Sequence, residues 1–398
     1  ITVMVVDHCP PLSLSYMHIA WLGKKSPFCG NVTYSRTITN ALIERGYDVS
    51  FLHFTQGEAE SEDWPDFTEV LLPCLYKSQV YTIPTLGSSN RLRQSLEQLK
   101  PDLVHASLTL SPLDFRLPEI CHSLNIPLVA TFHPAFNKKL RNLTSSTSFL
   151  AYQLYAPFLA HYDRVIVFSR LQRDLLVRLG VPEDILAVIP NGIDESKYSP
   201  GKSDFKESVG AERLFVYQGR VSTEKNVESL LKAWKHCELG EESKLIIVGD
   251  GPLVSSLKPF YDKRHGVIWL GFVADEEKRI EILRAADVFI LPSLVEGLSL
   301  SLLEGMGCGI ACVATDAGAD GEVLEDGAGV VLKTNRVTAQ LKTLLPVLQE
   351  HPELTKLLGE KARSRVLDRY TLQNNISQLE MLYQEAIKSH QEHLMTRN

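Results

Sequence analysis

The hydrophobic positions of this 398-residue chain fall into short continuous runs, separated by longer stretches with helical spacing. Such runs predict strands buried on both faces, and the longer stretches predict the helices that cover them. In the first half, the predicted strands begin at Thr2, Asp48, Asp102, Pro127 and Arg164. In the second half, they begin at Leu214, Lys244, Gly266, Asp287 and Gly309. Strands that alternate with helices are typical of parallel sheets, so the sequence predicts two doubly wound α/β domains in series.

The boundary between the two predicted domains falls in residues 188–204, which are rich in Pro, Gly, Ser and charged residues, as linkers are. We therefore predict an N-terminal domain over residues 1–194 and a C-terminal domain over residues 195–370. Apolar residues recur at helical spacing near the end of the chain. Residues 371–398 are accordingly predicted to form a final helix that packs back across the domains.

Composition narrows the class of protein. The hydrophobic content of 44% and the charged content of 22% are those of an ordinary soluble globular protein. A net charge of −7 argues against a general nucleic-acid binder. No apolar run reaches the length of a membrane span, and the first residues lack the basic start of a signal peptide. The seven cysteines lack zinc or redox spacing, so we expect a protein with reduced thiols in the cytoplasm.

Candidate binding residues should follow the strands, because parallel sheets bind ligands at the carboxyl ends of their strands. The segment "GRVSTEKN" begins at Gly219, after a predicted strand, and contains Arg220 and Lys225. A forked guanidinium and a mobile ammonium group together indicate an anion site, and a solvated turn is the alternative. The segment "GDGPL" begins at Gly249 after the next strand. Its glycines would either let the backbone approach a ligand or simply close a tight connection.

Two glutamates lie in the mostly apolar segment "VEGLSLSLLEGMGCG", which begins at Val295. Glu296 is predicted in a loop, and Glu304 in the early turns of the helix that follows. The free N–H groups at that helix start favour a phosphate. Buried carboxylates need hydrogen-bond donors, which the hydroxyls of a ribose or a sugar would supply. The alternative is a pair of half-exposed acids stabilised by the helix dipole.

The first half contains weaker signals. Gly30 and Asn31 precede an amphipathic helix that is predicted to end at Gly46, and they form a candidate diphosphate contact. His133 follows the strand that begins at Pro127. A lone histidine is usually structural, but a position directly after a parallel strand points to a ligand crevice.

These segments, together with "VIPNGID", "VGDGP" and "VFILPSLVEGLSLSLLEGMGCGIACVATD", resemble family 4 of the retaining glycosyltransferases, and in particular its lipid-glycosylating members. The likeness covers residues 1–382. It implies the GT-B architecture, in which two Rossmann-like domains face each other across a cleft and bind acceptor and donor respectively. It also implies a hexosyltransferase that uses a nucleotide-sugar, expected to be a UDP-sugar, as its substrate and needs neither a metal nor a cofactor.

The resemblance also implies roles for individual residues. Glu304 would hold the ribose and Glu296 the hydroxyls of the transferred sugar. Arg220 and Lys225 would hold the diphosphate, and His133 would lie near the sugar. Further donor contacts are expected at Gly30, Asn31, Gly219, Gly249, Gly297, Leu298, Ser299 and Leu300.

The sequence departs from the family pattern in three places. Asn31 and Asn226 stand where the family has glycine, and "DAGADGEV" replaces a Gly-Gly-Ile-Pro-Glu-like segment. There is no Asp-x-Asp metal motif, so cationic side chains and helix N-termini are expected to stabilise the departing diphosphate. Retention is expected to proceed by front-face attack, because no carboxylate is a convincing nucleophile.

The acceptor is suggested by residues 136–162, which contain no Asp or Glu. Lys138, Lys139 and Arg141 precede many large apolar residues there. Residues 137–161 are predicted to lie on an anionic membrane surface, or else to form a core helix with a basic first turn. We therefore expect a diacylglycerol-type acceptor at the inner face of a membrane. The alternatives are a soluble or polysaccharide acceptor, a nucleotide-sugar epimerase of the same fold, and a binding subunit without catalysis.

Overall fold

The structure is a computed structural model that describes residues 17–27, 29–56, 64, 66–135 and 143–397. The strand predicted at Thr2 and the basic residues Lys138, Lys139 and Arg141 lie outside the described residues. Contacts divide the chain into two compact units. The first comprises the described residues of Ile1–Phe132, His161–Val165 and Met381–Asn398, and the second those of His133–Ala160 and Ile166–Glu380.

The first sheet has eight strands in the order β4-β3-β2-β1-β5-β6-β7-β8. They are β1 His18–Gly23, β2 Asp48–Thr55, β3 Thr68–Lys77, β4 Thr82–Pro84, β5 Leu103–Ser107, β6 Leu128–Thr131, β7 Arg164–Val167 and β8 Leu186–Val188. The pairs β1–β2, β1–β5, β2–β3 and β5–β6 are parallel, and β3–β4 is antiparallel. The accompanying helices are α1 Gly30–Glu44, α2 Ser88–Leu99, α3 Leu117–Ser123, α4 Leu143–Leu159 and α5 Arg170–Arg178.

The second sheet has six strands in the order β11-β10-β9-β12-β13-β14, and all its pairs are parallel. They are β9 Arg213–Gln218, β10 Ser243–Val248, β11 Val267–Gly271, β12 Val288–Leu291, β13 Ala311–Thr315 and β14 Val330–Leu332. The remaining helices are α6 Phe205–Ser208, α7 Val227–Cys237, α8 Val254–Leu257, α9 Glu276–Ala285, α10 Leu300–Gly307, α11 Asp320–Val323, α12 Val337–Glu350, α13 Pro352–Arg369 and α14 Leu372–Arg397.

The predicted fold class, two Rossmann-like parallel α/β sheets, is confirmed. Strands β5, β12 and β13 are buried along their whole length, as expected for continuous apolar runs with helices on both faces. Nothing in the sequence pattern predicted β1, β3, β4, β8 or β14. None of the described helices combines the length and the apolarity that a membrane span would need.

The predicted final helix is present as α14, which contributes residues to both units. In the second unit, Asn375 Nδ2 donates to the Pro190 carbonyl at 2.6 Å. In the first unit, the Tyr383 hydroxyl hydrogen-bonds Nδ1 of the buried His105 at 2.5 Å.

Each sheet has a switch point, where the order in which the chain adds strands reverses from one side of the first strand to the other. The first sheet grows from β1 toward β2 and β3, and then returns to the other side of β1 with β5. The second sheet grows from β9 toward β10 and β11, and then returns to the other side of β9 with β12. The connections that leave two such adjacent strands diverge, which opens a crevice at the carboxyl ends. Ligand-binding residues should therefore follow β1 and β5, and β9 and β12.

Candidate active site

An ion pair bridges the switch point of the second sheet. Lys225 follows β9 and Glu296 follows β12, and Lys225 Nζ donates to Glu296 Oε1 at 2.5 Å. Ser293 Oγ donates to the same oxygen at 2.7 Å. The backbones also meet, because the Leu294 N–H donates to the Glu224 carbonyl at 2.7 Å. The structure thus brings together two residues that the sequence nominated separately.

The Lys225–Glu296 pair retains hydrogen-bonding groups that a ligand could use. Burial acts to lower the pKa of Lys225, but the carboxylates of Glu296, Asp320 and Glu224, with Glu296 the largest contributor, together raise it. An ammonium group has three donors, and Lys225 commits one of them, to Glu296, among the described residues. Glu296 Oε2 forms no hydrogen bond to any described residue, whereas Oε1 accepts two. The pair can therefore donate to an anion and accept from a hydroxyl at the same time.

Asp320 is a third acid at this place, and sequence reasoning did not single it out. It is 1% exposed, and its Oδ1 accepts a hydrogen bond from the Ser299 N–H at 3.0 Å. Burial raises the pKa of Asp320, and the negative charge of Glu296 raises it further, against the opposing effects of Ser299 and Lys225. One ammonium group cannot neutralise two carboxylates, so Asp320 loses its proton at higher pH than an ordinary aspartate. The only signal in the sequence was an acid inside the small-residue segment after β13.

Glu304 lies in α10 and is also buried, with its Oε2 accepting from Gln218 Nε2 at 2.7 Å. Burial raises the pKa of Glu304, and the positive charge of Arg279 partly opposes that rise. Both glutamates are buried, so the alternative of half-exposed acids is wrong. Gln218 was missed as well, although a polar residue at the end of the apolar strand β9 is a signal. Its Oε1 is buried and has no hydrogen-bond partner within the described part of the chain.

The loop between β12 and α10 is held by backbone hydrogen bonds. The Gly297 carbonyl accepts from the Ala319 N–H at 2.7 Å, and the Leu298 carbonyl accepts from Asn191 Nδ2 at 3.1 Å. Ser299 caps α10, since its Oγ accepts from the Leu302 N–H at 3.4 Å. Leu300 is the first helical residue. The predicted loop and helix are thus confirmed, and the start of α10 is fixed beside Glu296.

The backbones of Gly219, after β9, and Gly249, after β10, pack directly against each other. Gly249 has φ +133°, and a Cβ there would lie 1.9 Å from the Gly219 carbonyl oxygen. Its N–H donates to the Gly271 carbonyl at 2.7 Å. This close approach of backbone to backbone alone requires glycine at 249.

Arg220, which follows Gly219, is exposed. Its carbonyl accepts from the Tyr217 hydroxyl at 2.7 Å. Its guanidinium group forms no ion pair or hydrogen bond with the residues that the structure describes. All five donors of the guanidinium group can therefore turn toward an anion.

A neutral bridge spans the switch point of the first sheet. Asn31 follows β1, and its Nδ2 donates to the carbonyl of Leu108, which follows β5, at 3.1 Å. Its Oδ1 accepts from Ser107 Oγ at 3.0 Å. Gly30 is the first residue of α1 rather than part of the preceding loop, and the Cys29 side chain does not cap this helix. A Cβ on Gly30 would meet open space, so packing does not require glycine here.

His133 lies after β6 and is half-buried, with its ring 5.3 Å from the Phe168 ring. It belongs to the same compact unit as Gly297. A Cβ at Gly297 would lie 3.5 Å from the His133 carbonyl oxygen. The segment that carries His133 therefore lies beside the loop that carries Glu296.

Helix α4 has a buried face and an exposed apolar face. Tyr152 is fully buried, and its hydroxyl donates to the Pro134 carbonyl at 2.7 Å. Leu150, Leu154 and Phe158 are exposed at a spacing of four residues. The helix therefore packs in the core and still presents apolar side chains to its surroundings.

The comparisons with known proteins agree with this architecture. Residues 29–197 match the family model "Glycosyltransferase Family 4", and residues 202–365 match "Glycosyl transferases group 1". The chain is 28% identical over 239 residues to UDP-Gal:alpha-D-GlcNAc-diphosphoundecaprenol alpha-1,3-galactosyltransferase of Escherichia coli, over 56% of this chain and 60% of that one. It is 26% identical over 306 residues to alpha-monoglucosyldiacylglycerol synthase of Streptococcus pneumoniae, over 72% of this chain and 67% of that one.

Among solved structures, HepE of Anabaena in complex with UDP and glucose superposes with a TM-score of 0.72 at 19% identity. The superposition covers 93% of this chain and 100% of that one, and it shows a shared fold. The first four curated relatives are matched over 55% to 63% of their own length. The two family models adjoin and together match well over half of the chain. The chain therefore belongs to the family 4 glycosyltransferases, which have the GT-B fold.

Proposed function

We propose that the protein is a retaining hexosyltransferase that moves a sugar from a nucleotide-diphosphate donor, a UDP-sugar, to an acceptor hydroxyl. The observation that carries this proposal is the part-buried Lys225–Glu296 pair at the switch point of the second sheet. It offers donors to an anion and an acceptor to a polyol within one site. The name of the Escherichia coli relative specifies UDP-Gal, and the Anabaena structure contains UDP and glucose, which supports a UDP-sugar here.

The charges supply the mechanism. Cleavage of the sugar–phosphate bond leaves negative charge on the diphosphate and positive charge on the sugar. Lys225 and Arg220 stabilise the negative charge as it develops. The uncapped start of α1 at Gly30 and Asn31, in the first unit, stays a prediction as a further contact to phosphate. In this proposal these groups do the work that a divalent metal does in other transferases.

The acids hold the neutral parts of the donor. Glu296 Oε2 accepts from hydroxyls of the transferred sugar, and His133 lies near that sugar. Glu304 accepts from the ribose, and the unpaired Oε1 of Gln218 accepts from a nucleotide N–H or O–H group. This last contact would satisfy a buried amide oxygen that otherwise costs stability.

Retention proceeds by front-face attack in this proposal. The Oε1 atom of Glu296 is engaged by Lys225 and Ser293, and the ion pair weakens its carboxylate as a nucleophile. A covalent glycosyl–enzyme intermediate would need a free, correctly placed carboxylate. The departing phosphate instead accepts the proton of the attacking acceptor hydroxyl.

The proposed acceptor is a diacylglycerol-type lipid at the inner face of a membrane, with the protein attached peripherally through residues 137–161. The exposed apolar face of α4 supports this choice, and so does the name of the Streptococcus pneumoniae relative. A soluble or polysaccharide acceptor is the second candidate, because α4 also serves the core through Tyr152.

The decisive experiment incubates the protein with a panel of nucleotide-sugars and either diacylglycerol in detergent micelles or soluble sugars, with and without EDTA. We expect EDTA-insensitive release of UDP that depends on the lipid. Interconversion of the donor without an acceptor would indicate the epimerase, and donor binding without turnover would indicate the binding subunit.

The matched variants in this assay are Arg220→Ala and Arg264→Ala. Both arginines are exposed, but Arg264 forms an ion pair with Asp262 and was not among the candidate residues. We expect turnover to fall about 10²-fold for Arg220→Ala and to stay unchanged for Arg264→Ala. Turnover within a few fold of the original for Arg220→Ala would remove this residue from the mechanism.

A further inference from the structure

We infer that the β3–β4 hairpin of the first unit is a second, preformed attachment surface that inserts into an anionic lipid bilayer. Residues 71–86, here called the hairpin surface, carry large apolar side chains that are exposed although the hairpin is regular structure. They are Leu71, Leu75, Tyr76, Val80, Tyr81, Ile83 and Leu86. An exposed apolar cluster of this density in a globular protein marks an interaction site.

The exposed side chains form one cluster. Tyr76 lies opposite Ile83 in the antiparallel register, and the rings of Tyr76 and Tyr81 are 5.5 Å apart. Leu71 and Leu75 share a face of β3, because residues at even spacing do. The register shifts between Cys74 and Tyr76, and this irregularity breaks the alternation that would otherwise place Leu75 and Tyr76 on opposite faces. The cluster therefore continues along β3 and across to β4.

The tip of the hairpin is held in place by a buried cation. Lys24 is 4% exposed, and its Nζ donates to the carbonyls of Ser78 at 3.0 Å and Gln79 at 3.4 Å. Ser78 Oγ accepts from the N–H groups of Val80 at 3.2 Å and Tyr81 at 3.1 Å. Burying a lysine costs free energy unless its ammonium group is hydrogen-bonded. The ammonium group of Lys24 donates to the turn that presents Val80 and Tyr81. The turn that carries the exposed side chains of Val80 and Tyr81 is therefore held in one conformation by hydrogen bonds.

The charge around the hairpin selects the occupant. Between Glu69 and Glu97 the sequence contains Lys77, Arg91 and Arg93 and no Asp or Glu, in a chain with a net charge of −7. Cations beside apolar side chains complement the headgroups and acyl boundary of an anionic leaflet, and tyrosine prefers that boundary. The cluster therefore matches an anionic bilayer in both polarity and charge.

A second copy of the chain fits this surface less well. Strand β4 is only three residues long and contains Pro84, which cannot donate to another strand. The N–H groups of Thr82 and Thr85 already donate to the carbonyls of Leu110 and Pro73. Little backbone is left for pairing with another edge strand.

This inference goes beyond the proposed reaction and does not depend on it. The test uses flotation of the full chain with vesicles of phosphatidylcholine alone, or mixed equally with phosphatidylglycerol. We expect binding to the mixed vesicles that weakens with added salt. The double variant Leu75→Glu, Val80→Glu should bind them at least about ten-fold more weakly, because two charged groups would enter the bilayer boundary.

The matched control is Leu357→Glu, Leu367→Glu, which changes two leucines of α13 that are 50% and 47% exposed. It should bind like the original protein. The donor-dependent release of UDP with a detergent-solubilised acceptor should be the same for all three proteins, which separates this surface from the proposed reaction. A tryptophan at position 75, made as Leu75→Trp, should be quenched by lipids brominated near the headgroup.

Three results would overturn the inference. One is equal vesicle binding by the hairpin variant and the original protein, and another is no quenching of Leu75→Trp by brominated lipid. The third is a dimer in light scattering that the hairpin variant converts to a monomer, since the cluster would then be an interface between copies.

Discussion

The two switch points of this molecule are built alike and bridged differently. In the first sheet, the neutral amide of Asn31 joins the connection after β1 to the carbonyl of Leu108. In the second sheet, the ion pair of Lys225 and Glu296 joins the connections after β9 and β12. The same topology thus presents a neutral hydrogen-bonding surface in one unit and a charged one in the other. The side chains that bridge a switch point therefore determine its charge, and the topology of the sheet does not.

If the proposed function is correct, the largest effect comes from removing the positive charge of the second switch point with Lys225→Ala. We expect kcat to fall about 10²–10³-fold, because a donor to the developing diphosphate charge is lost and Glu296 is left buried without its partner. Steady-state release of UDP measures the effect. The matched control is Lys232→Ala in α7, whose exposed pair with Glu228 should matter little for turnover or stability. A change of only a few fold for Lys225→Ala would contradict the charged role of this switch point.

The glycines beside the two bridging contacts, Gly30 and Gly249, are expected to differ in how much a Cβ at each position costs in stability. Gly249→Ala should destabilise the protein by at least about 2 kcal/mol, because the new Cβ would overlap the Gly219 carbonyl oxygen. Gly30→Ala should change the free energy of unfolding by less than about 0.5 kcal/mol, since its Cβ meets open space. Chemical denaturation measures both. If Gly30 lies at the donor phosphates, Gly30→Ala will nevertheless raise the donor KM, and an unchanged KM would argue against that contact.

The neutral bridge is tested by Asn31→Ala. Loss of the hydrogen bonds to Leu108 and Ser107 should cost about 1–3 kcal/mol in the free energy of unfolding. Asn31→Asp should cost more than Asn31→Ala at neutral pH, since a carboxylate cannot donate to the Leu108 carbonyl. Thermal unfolding of both variants gives the ranking. Equal stability of all three proteins would show that this amide does not hold the first switch point together.

The smallest expected effect concerns Asp320. The pKa of Asp320 is raised in the folded protein, so the folded state stays protonated up to a higher pH than the unfolded chain does. Stability is therefore highest below the ordinary aspartate pKa and falls as the pH rises toward the raised value. Asp320→Asn keeps an oxygen for the Ser299 N–H and removes the titration. We expect its melting temperature to exceed that of the original protein by a few degrees in the alkaline range, and by less at acid pH.

Parallel pH scans of the two proteins give this comparison. A gap that stays constant across the pH range would show that Asp320 does not titrate as proposed. A donor affinity that weakens with rising pH only in the original protein would agree with a carboxylate that repels the diphosphate once it is charged.

Continuous burial of a strand did not by itself decide whether the sequence predicted it, because β1 is buried from Ile19 to Gly23 and was missed, whereas β12 and β13 were predicted. β12 and β13 are apolar along their full length, and the period of their helices is regular. β3 was missed because it contains Pro73 and is mostly exposed, so its pattern resembles a loop. β8 and β14 have three residues each, too few for any period to appear.

The candidate site could be predicted by residue type but not by partner. Lys225 and Glu296 were nominated from their positions after strands, yet the chain separates them by 71 residues, and nothing in one sequence states that they pair. Asp320 was missed for the same reason. Its place in the site depends on the Ser299 N–H and on the neighbouring charges, which no sequence motif records.

The hydrogen bond between Tyr383 and His105 joins residues 278 positions apart in the chain. His105 is fully buried and stacks on Trp21, with ring centroids 4.0 Å apart. During synthesis, the interior of the unit that contains His105 stays incomplete until Tyr383 has been translated. Cutting the gene at the linker would therefore yield a fragment with a hole where a tyrosine belongs.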